Sequence, residues 1–132
     1  MKILFICKAN VGRSQIAEAF FNRLSKQNKA ISAGTHIRDH KGELLHEFVI
    51  QCMSEFDYDL SKNTRKQLTP QIAKEADKIV VMTEKENLPS YIDMSKVVFW
   101  EIDDAKDKSL EFHHQIRDQI KKFVEQLVKD IG

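Results

Sequence analysis

Cys7-Lys8-Ala9-Asn10-Val11-Gly12-Arg13-Ser14 sets a thiol, a guanidinium and a hydroxyl along one short stretch, behind the apolar run Ile3-Leu4-Phe5-Ile6 and ahead of a helical pattern. A cysteine at a strand end, five intervening residues, then arginine and serine at a helix start form a phosphate cradle with a nucleophile at its base. The backbone N–H groups of such a turn point inward, and the positive end of the helix dipole adds to them. A field that holds a phosphate dianion also favours the thiolate, which is the form that attacks. Arg13 presents a planar fork that grips two oxyanion oxygens, which lysine could not do. Ser14 can donate a hydrogen bond to the sulfur and support it as a leaving group. Lys8, Ala9, Asn10, Val11, Gly12, Arg13 and Ser14 are therefore the candidate phosphate-binding residues.

A competing reading makes Cys7 a small core hydrophobe and Arg13 an ordinary helix-start residue. Cys-x5-Arg alone leaves both readings open. Its placement between a buried strand and a helix favours the cradle, as a phosphate loop also needs its strand and helix.

The elements that must position this loop alternate along the chain. Lys2–Ile6 reads as a central strand. Ser14–Lys26 reads as a helix, with Ile16, Ala17, Phe20 and Leu24 on one face. Lys29–Ala33 is a short second strand ending at Gly34. Leu44, Leu45, Phe48, Val49, Cys52, Met53 and Phe56 recur at helical spacing, which predicts a helix from about Gly42 to Ser54. Thr69-Pro70 is a cap followed by a first-turn proline, opening a short helix toward Ala76. Lys78–Met82 and Lys96–Trp100 read as the third and fourth strands. Leu110 to about Ile131 is a long amphipathic helix with Ile116, Ile120, Phe123, Leu127 and Ile131 inward.

This alternation predicts an α/β fold: a doubly wound, four-stranded parallel sheet with helices on both faces, joined by right-handed crossovers. Ligands of such sheets sit beyond the carboxyl ends of the strands, at the topological switch point. Cys7 follows the first strand and Asp104 follows the fourth, so both fall on that edge although they are far apart in sequence.

The chain of 132 residues fits one domain, 1–132, with room for a sizeable core. Its formal net charge of +1 calls for neither nucleic acid nor an anionic membrane as partner. No apolar stretch approaches the ~20 residues of a membrane span, and the start lacks the pattern of a cleaved signal. Two distant cysteines, one needed as a thiolate, make the reducing cytoplasm the expected compartment. Cys52 lies on an apolar stripe and reads as a core thiol, not as a redox partner for Cys7. The five histidines are scattered in sequence and predict no metal site. His113 shares a face with Leu110, Ile116 and Ile120 and reads as an edge-of-core histidine.

Residues Lys2 to Phe20 resemble the low-molecular-weight protein tyrosine phosphatase and arsenate reductase family, whose loop usually reads Cys-x-Gly-Asn-x-Cys-Arg-Ser. Cys7, Asn10, Arg13 and Ser14 match it in place. The likeness continues through Ser32-Ala33-Gly34-Thr35, Asp59-Leu60-Ser61 with Arg65, Ala76-Asp77-Lys78-Ile79-Val80-Val81-Met82, and Trp100-Glu101-Ile102-Asp103-Asp104. The last of these is similar to the family's Trp-x-hydrophobic-x-Asp-Pro, which carries the general acid. The resemblance therefore implies Cys7, Arg13 and Asp104 as catalytic residues, with Asn10, Ser14 and Ser32 in support. Counting from Trp100 selects Asp104 over Asp103. The chain departs from the family pattern at Ala9, where a glycine is usual, at Gly12, where most members have a second cysteine, at Lys62 for histidine and at Ala105 for proline.

The resemblance implies a tyrosine phosphatase that hydrolyses aryl phosphate monoesters through a phosphocysteine, without metal or cofactor. Its partners are a phosphotyrosine protein or a small aryl phosphate, and oxyanions such as phosphate, vanadate or arsenate. An apolar Val11 at the mouth favours phosphotyrosine over phosphoarginine, and Phe112 is a candidate aromatic wall. The alternative is an arsenate reductase drawing on an external thiol such as glutathione with glutaredoxin, or thioredoxin, since Val80 to Asn87 contains no resolving cysteine. A third reading is a non-catalytic phosphate or phosphopeptide binder, against which Cys7, Arg13 and Asp104 together argue.

Overall fold

In the computed structural model, which describes residues 1–131, four parallel strands form one sheet in the order β2-β1-β3-β4. The strands are β1 (Lys2–Cys7), β2 (Lys29–Gly34), β3 (Lys78–Val81) and β4 (Val97–Phe99). The helices are α1 (Arg13–Leu24), α2 (Glu47–Ser54), α3 (Pro70–Glu75) and α4 (Leu110–Ile131). The expected doubly wound α/β fold is present. Among the described residues, no helix is long and apolar enough to cross a membrane.

Strand β1 is central because it is buried on both faces. Ile3, Phe5 and Cys7 join the core formed with α1, α2 and α4, whereas Leu4 and Ile6 join the smaller core under α3. Successive side chains of a strand point to opposite faces, so one apolar run supplies both cores. Ile3, Leu4, Phe5 and Ile6 are fully buried, and each contributes about 1.5–3 kcal/mol by leaving water. Phe5 packs against Phe21 and Trp100, and Trp100 in turn against Phe123 of α4. That stack fixes the end of the fourth strand, and with it the segment leading to Asp103 and Asp104. Trp100 N also donates to Val81 O at 2.9 Å.

The largest departure from the sequence expectation lies ahead of α2, which starts at Glu47 and not near Gly42. Leu44 is 56% exposed and pairs with Thr64 in an isolated antiparallel bridge. Gly42 N donates to Arg65 O and Arg65 N to Glu43 O, so backbone pairing with the following loop replaces the predicted first helical turns. His46 then caps α2, its Nδ1 accepting from Phe48 N at 3.0 Å. Phe56 falls beyond the helix, next to Asp57 in the left-handed region (φ 64°). In α4, Val124 is fully buried while Phe123 and Ile131 are half-buried, a small rotation of the inward face.

Candidate active site

The loop from Cys7 to Arg13 crosses the carboxyl edge of the sheet between β1 and α1. Its outer flank is held by Cys7 O, which accepts from Thr35 N at 3.0 Å, and by Lys8 O, which accepts from His36 N at 2.8 Å. Gly34 permits this approach. A Cβ there would lie 2.8 Å from Lys8 O, 2.9 Å from Asn10 N and 2.7 Å from an Ile37 methyl. Helix α1 has no side-chain cap and no acidic residue in its first turn, which leaves its leading N–H groups for an anion.

Asn10 organises the interior of the loop. It adopts the left-handed conformation (φ 52°), which asparagine tolerates better than most residues. Gly12 stays outside that region (φ −139°), so the left-handed turn of the loop is made at Asn10. Asn10 Nδ2 donates to Ser14 Oγ at 2.7 Å and Ser32 Oγ at 3.1 Å. Its Oδ1 accepts from Gln15 Nε2 at 2.9 Å and Lys66 N at 2.8 Å. Gln15, fully buried, is itself held by Thr64 O at 3.0 Å and Asn63 Nδ2 at 3.2 Å. Ser14 Oγ stands 3.0 Å from Cys7 Sγ. The three residues expected in support, Asn10, Ser14 and Ser32, are thus joined in one network.

Arg13 closes the loop against the other two strands. One terminal nitrogen donates to Met82 O and, at 2.9 Å, to Ile102 O, the carbonyls beyond β3 and β4. The other lies 3.7 Å from Asp104 Oδ2. Asp104 Oδ1 accepts from Lys106 N at 2.9 Å, which fixes the carboxylate. Asp103 lines only a neighbouring depression with Thr83 and Glu84, whereas Asp104 also borders the cleft above Cys7. Of the two, only Asp104 borders the cleft that Cys7 lines.

That cleft encloses about 530 Å³ and is lined by Cys7, Lys8, Ala9, Val11, Gly12 and Arg13 on the loop side. Asn10 and Ser14, expected among the phosphate-binding residues, are buried behind it. Phe112 is absent from the wall and packs half-buried on the core. Four histidines, His36, His40, His46 and His113, line the cleft, a convergence that no spacing in the chain marks. His46 and His113 stack with centroids 5.7 Å apart. Among the described residues, no group of three or more histidine, cysteine or acidic side chains is placed to hold a metal ion. Gln15, Asn63 and Lys66 complete the Asn10 network from positions that no motif in the chain marks. The one signal was a polar Gln15 on the inward face of α1, beside Ile16 and Ala17.

Cys52 sits on the far side of the same core, fully buried, its Sγ 3.4 Å from Val49 O. Burial pushes its thiol up to about 11, so it stays protonated near neutrality.

A thiol under an uncapped helix start, with a hydroxyl on the sulfur and a guanidinium and carboxylate on the same cleft, makes a cysteine-centred candidate site on a doubly wound sheet. The sequence profile of "Low molecular weight phosphotyrosine protein phosphatase" matches residues 2–132, and the chain belongs to that family. A protein of Halobacterium salinarum, provisionally named an arsenate reductase, is 31% identical over 99% of this chain and 93% of its own. The glutaredoxin arsenate reductase of Synechocystis sp. is 29% identical over 99% and 98%. In fold, the low molecular weight protein tyrosine phosphatase of T. tengcongensis superposes with a TM-score of 0.91 at 24% identity, covering 99% of both chains.

Proposed function

We propose that the protein is a phosphatase that hydrolyses aryl phosphate monoesters, phosphotyrosine above all, through a phosphocysteine. The observation that carries this reading is the Asp104 carboxylate, held at the cleft beside Arg13 and across from Cys7. A binding module needs the loop and the guanidinium but has no use for a proton donor there.

In this reading Cys7 attacks phosphorus in line, forming the S–P bond as the P–O bond to the leaving group breaks. The loop amides and Arg13 hold the three non-bridging oxygens, so positioning and charge stabilisation supply most of the catalysis. Protonated Asp104 passes its proton to the leaving oxygen. Water then attacks phosphorus, Asp104 takes a proton from it, and sulfur departs as a thiolate that the Ser14 hydroxyl stabilises. Val11, half-buried at the mouth, offers an apolar surface to the aromatic ring of the substrate.

A second reading, arsenate reduction, is favoured by the names of the relatives at 31% and 29% identity. Here Cys7 would form a thiol–arsenate adduct. An external thiol such as glutathione would attack its sulfur and form a disulfide as the S–As bond breaks, so that the two thiols give up the two electrons that reduce As(V) to As(III) and arsenite leaves. The chain offers no internal substitute, because Cys52 is its only other cysteine and lies sealed in the core.

Parallel assays of the purified protein separate the two. Aryl phosphate hydrolysis is expected without added thiol. Arsenate-dependent oxidation of glutathione with glutaredoxin, or of reduced thioredoxin, without any phosphatase turnover would reverse the assignment.

A further inference from the structure

The charge of the cleft does not match the balance of the chain. Six lysine and arginine side chains and four histidines border it, against two aspartates, although the whole chain carries a net charge of only +1. No phenylalanine, tyrosine or tryptophan lines it. Only Arg13 and Lys8 of the six belong to the oxyanion loop. Asp104 is engaged with Arg13, and His40 with Glu43.

Two arginines across from the loop remain uncommitted. Arg65 is half-buried, lines the cleft and forms no ion pair among the described residues, although its Nε itself is enclosed and has no hydrogen-bond partner among them. Arg38 is exposed on the adjoining segment, with no ion pair among the described residues. These segments are rigidly joined, since Gly42 N donates to Arg65 O, Arg65 N to Glu43 O, and Gln67 Oε1 accepts from Ile37 N at 3.2 Å. His36 Nδ1 is engaged by Thr35 Oγ1 at 2.8 Å, which orients the ring and leaves Nε2 for a ligand.

We propose that Arg38, Arg65 and His36 form a second anion subsite at the mouth, so that the preferred ligand carries a carboxylate or phosphate beyond the oxyanion seated over Cys7. This rests on the reading of the loop as the seat of that oxyanion. A guanidinium pair suits either anion because its donors meet two oxygens at once.

The test compares benzylphosphonate with 4-(carboxymethyl)benzylphosphonate by calorimetry at low ionic strength, which needs no turnover. The carboxylate-bearing probe is expected to bind about five- to tenfold more tightly, the scale of one or two solvent-screened ion pairs, and the ratio should shrink as salt is raised. Arg38→Gln, at an exposed position, should lower the ratio, and Arg38→Gln with Arg65→Gln should bring it near one. Equal affinity in the parent protein, or a ratio that survives both substitutions, overturns the subsite. Failure of both probes to bind overturns the oxyanion seat itself and the subsite with it. Phosphotyrosine peptides flanked by glutamate or by alanine identify the source of the second anion. A glutamate preference assigns it to a protein substrate, and its absence alongside a preference for the small carboxylate-bearing probe assigns it to a small molecule.

Discussion

Ser14 Oγ lies 3.0 Å from Cys7 Sγ while accepting a 2.7 Å hydrogen bond from Asn10 Nδ2. Because the amide donates, the hydroxyl proton is free to point at sulfur. The direction is set further back: Asn63 Nδ2 donates to Gln15 Oε1 and Gln15 Nε2 to Asn10 Oδ1, so each amide is oriented by the one before it. The chain ends at the sulfur, where a hydroxyl donor stabilises negative charge whenever it develops, by the strong charge-assisted kind of hydrogen bond. Ser14→Ala is therefore expected to slow breakdown of the phosphocysteine more than its formation, by about ten- to hundredfold. Rapid-quench trapping should show the intermediate accumulating. A variant with full steady-state turnover and no trapped intermediate would remove Ser14 from the second step.

The chemistry of this loop was legible because Cys7, Arg13 and Ser14 are close in sequence and bracketed by a strand and a helix. The sheet was legible because β1 is a continuous apolar run, which only a strand buried on both faces requires. Asn63, Lys66 and the cleft histidines His36, His40 and His46 were not. They arrive on loops whose approach depends on backbone pairing between Gly42–Glu43 and Arg65, and such pairing leaves no periodic trace. His113, near the start of α4, has the helical period but nothing in it that marks the cleft it borders. The same pairing is why the apolar spacing from Leu44 onward overstated the second helix.

Gly34 and Gly12 are both glycines of the site, yet only one is required by space. A methyl group at Gly34 would meet two backbone atoms at 2.8 and 2.9 Å, whereas at Gly12 the nearest atom is a Val49 methyl at 3.6 Å. Gly34→Ala is expected to destabilise by about 1–3 kcal/mol, the range of core overpacking, and to displace the loop from the substrate. Gly12→Ala should leave stability within about 0.5 kcal/mol of the parent. Denaturant melts of both variants check this, and equal stabilities would show that the loop yields where its backbone is closest.

The space at Gly12 also bears on oxidation. Without a neighbouring thiol, Cys7 should pass from sulfenic to sulfinic acid under peroxide, and reductant should restore little activity. Gly12→Cys is expected to make the loss largely reversible by forming a disulfide inside the loop. Mass spectrometry of the peroxide-treated parent should show no Cys7–Cys52 disulfide, because Cys52 is fully buried. Finding one would require the core to open on the timescale of oxidation.

Burial holds Cys52 protonated up to about pH 11, above its ordinary value of 9.0. A thiol that ionises more readily unfolded than folded contributes stability below pH ~9 that is lost as pH rises toward 11. Cys52→Ala carries its own cavity cost at every pH, but its stability should fall less steeply than the parent's between pH 8.5 and 10.5. Urea melts across that window provide the slope, and parallel slopes would contradict the assignment. Near pH 8 a disulfide reagent should modify Cys7 rapidly and Cys52 only on unfolding, so Cys7→Ser should abolish the fast phase.

Asp103 and Asp104 give the sharpest test of mechanism because they differ in direction more than in chemistry. Both are exposed carboxylates at the end of the same strand, but Asp104 is the one 3.7 Å from Arg13 and bonded to Lys106 N. A general acid matters in proportion to the basicity of the group it protonates. Asp104→Asn should thus slow phenyl phosphate by about 10²–10⁴-fold and p-nitrophenyl phosphate far less, since nitrophenolate leaves without help. Asp103→Asn, outside the cleft that Cys7 lines, should lower both rates alike and only slightly. Should the leaving-group dependence follow Asp103, the segment after Trp100 must turn over when substrate binds. Should it follow neither, no proton donor acts at this cleft, and arsenate reduction becomes the better account of Cys7.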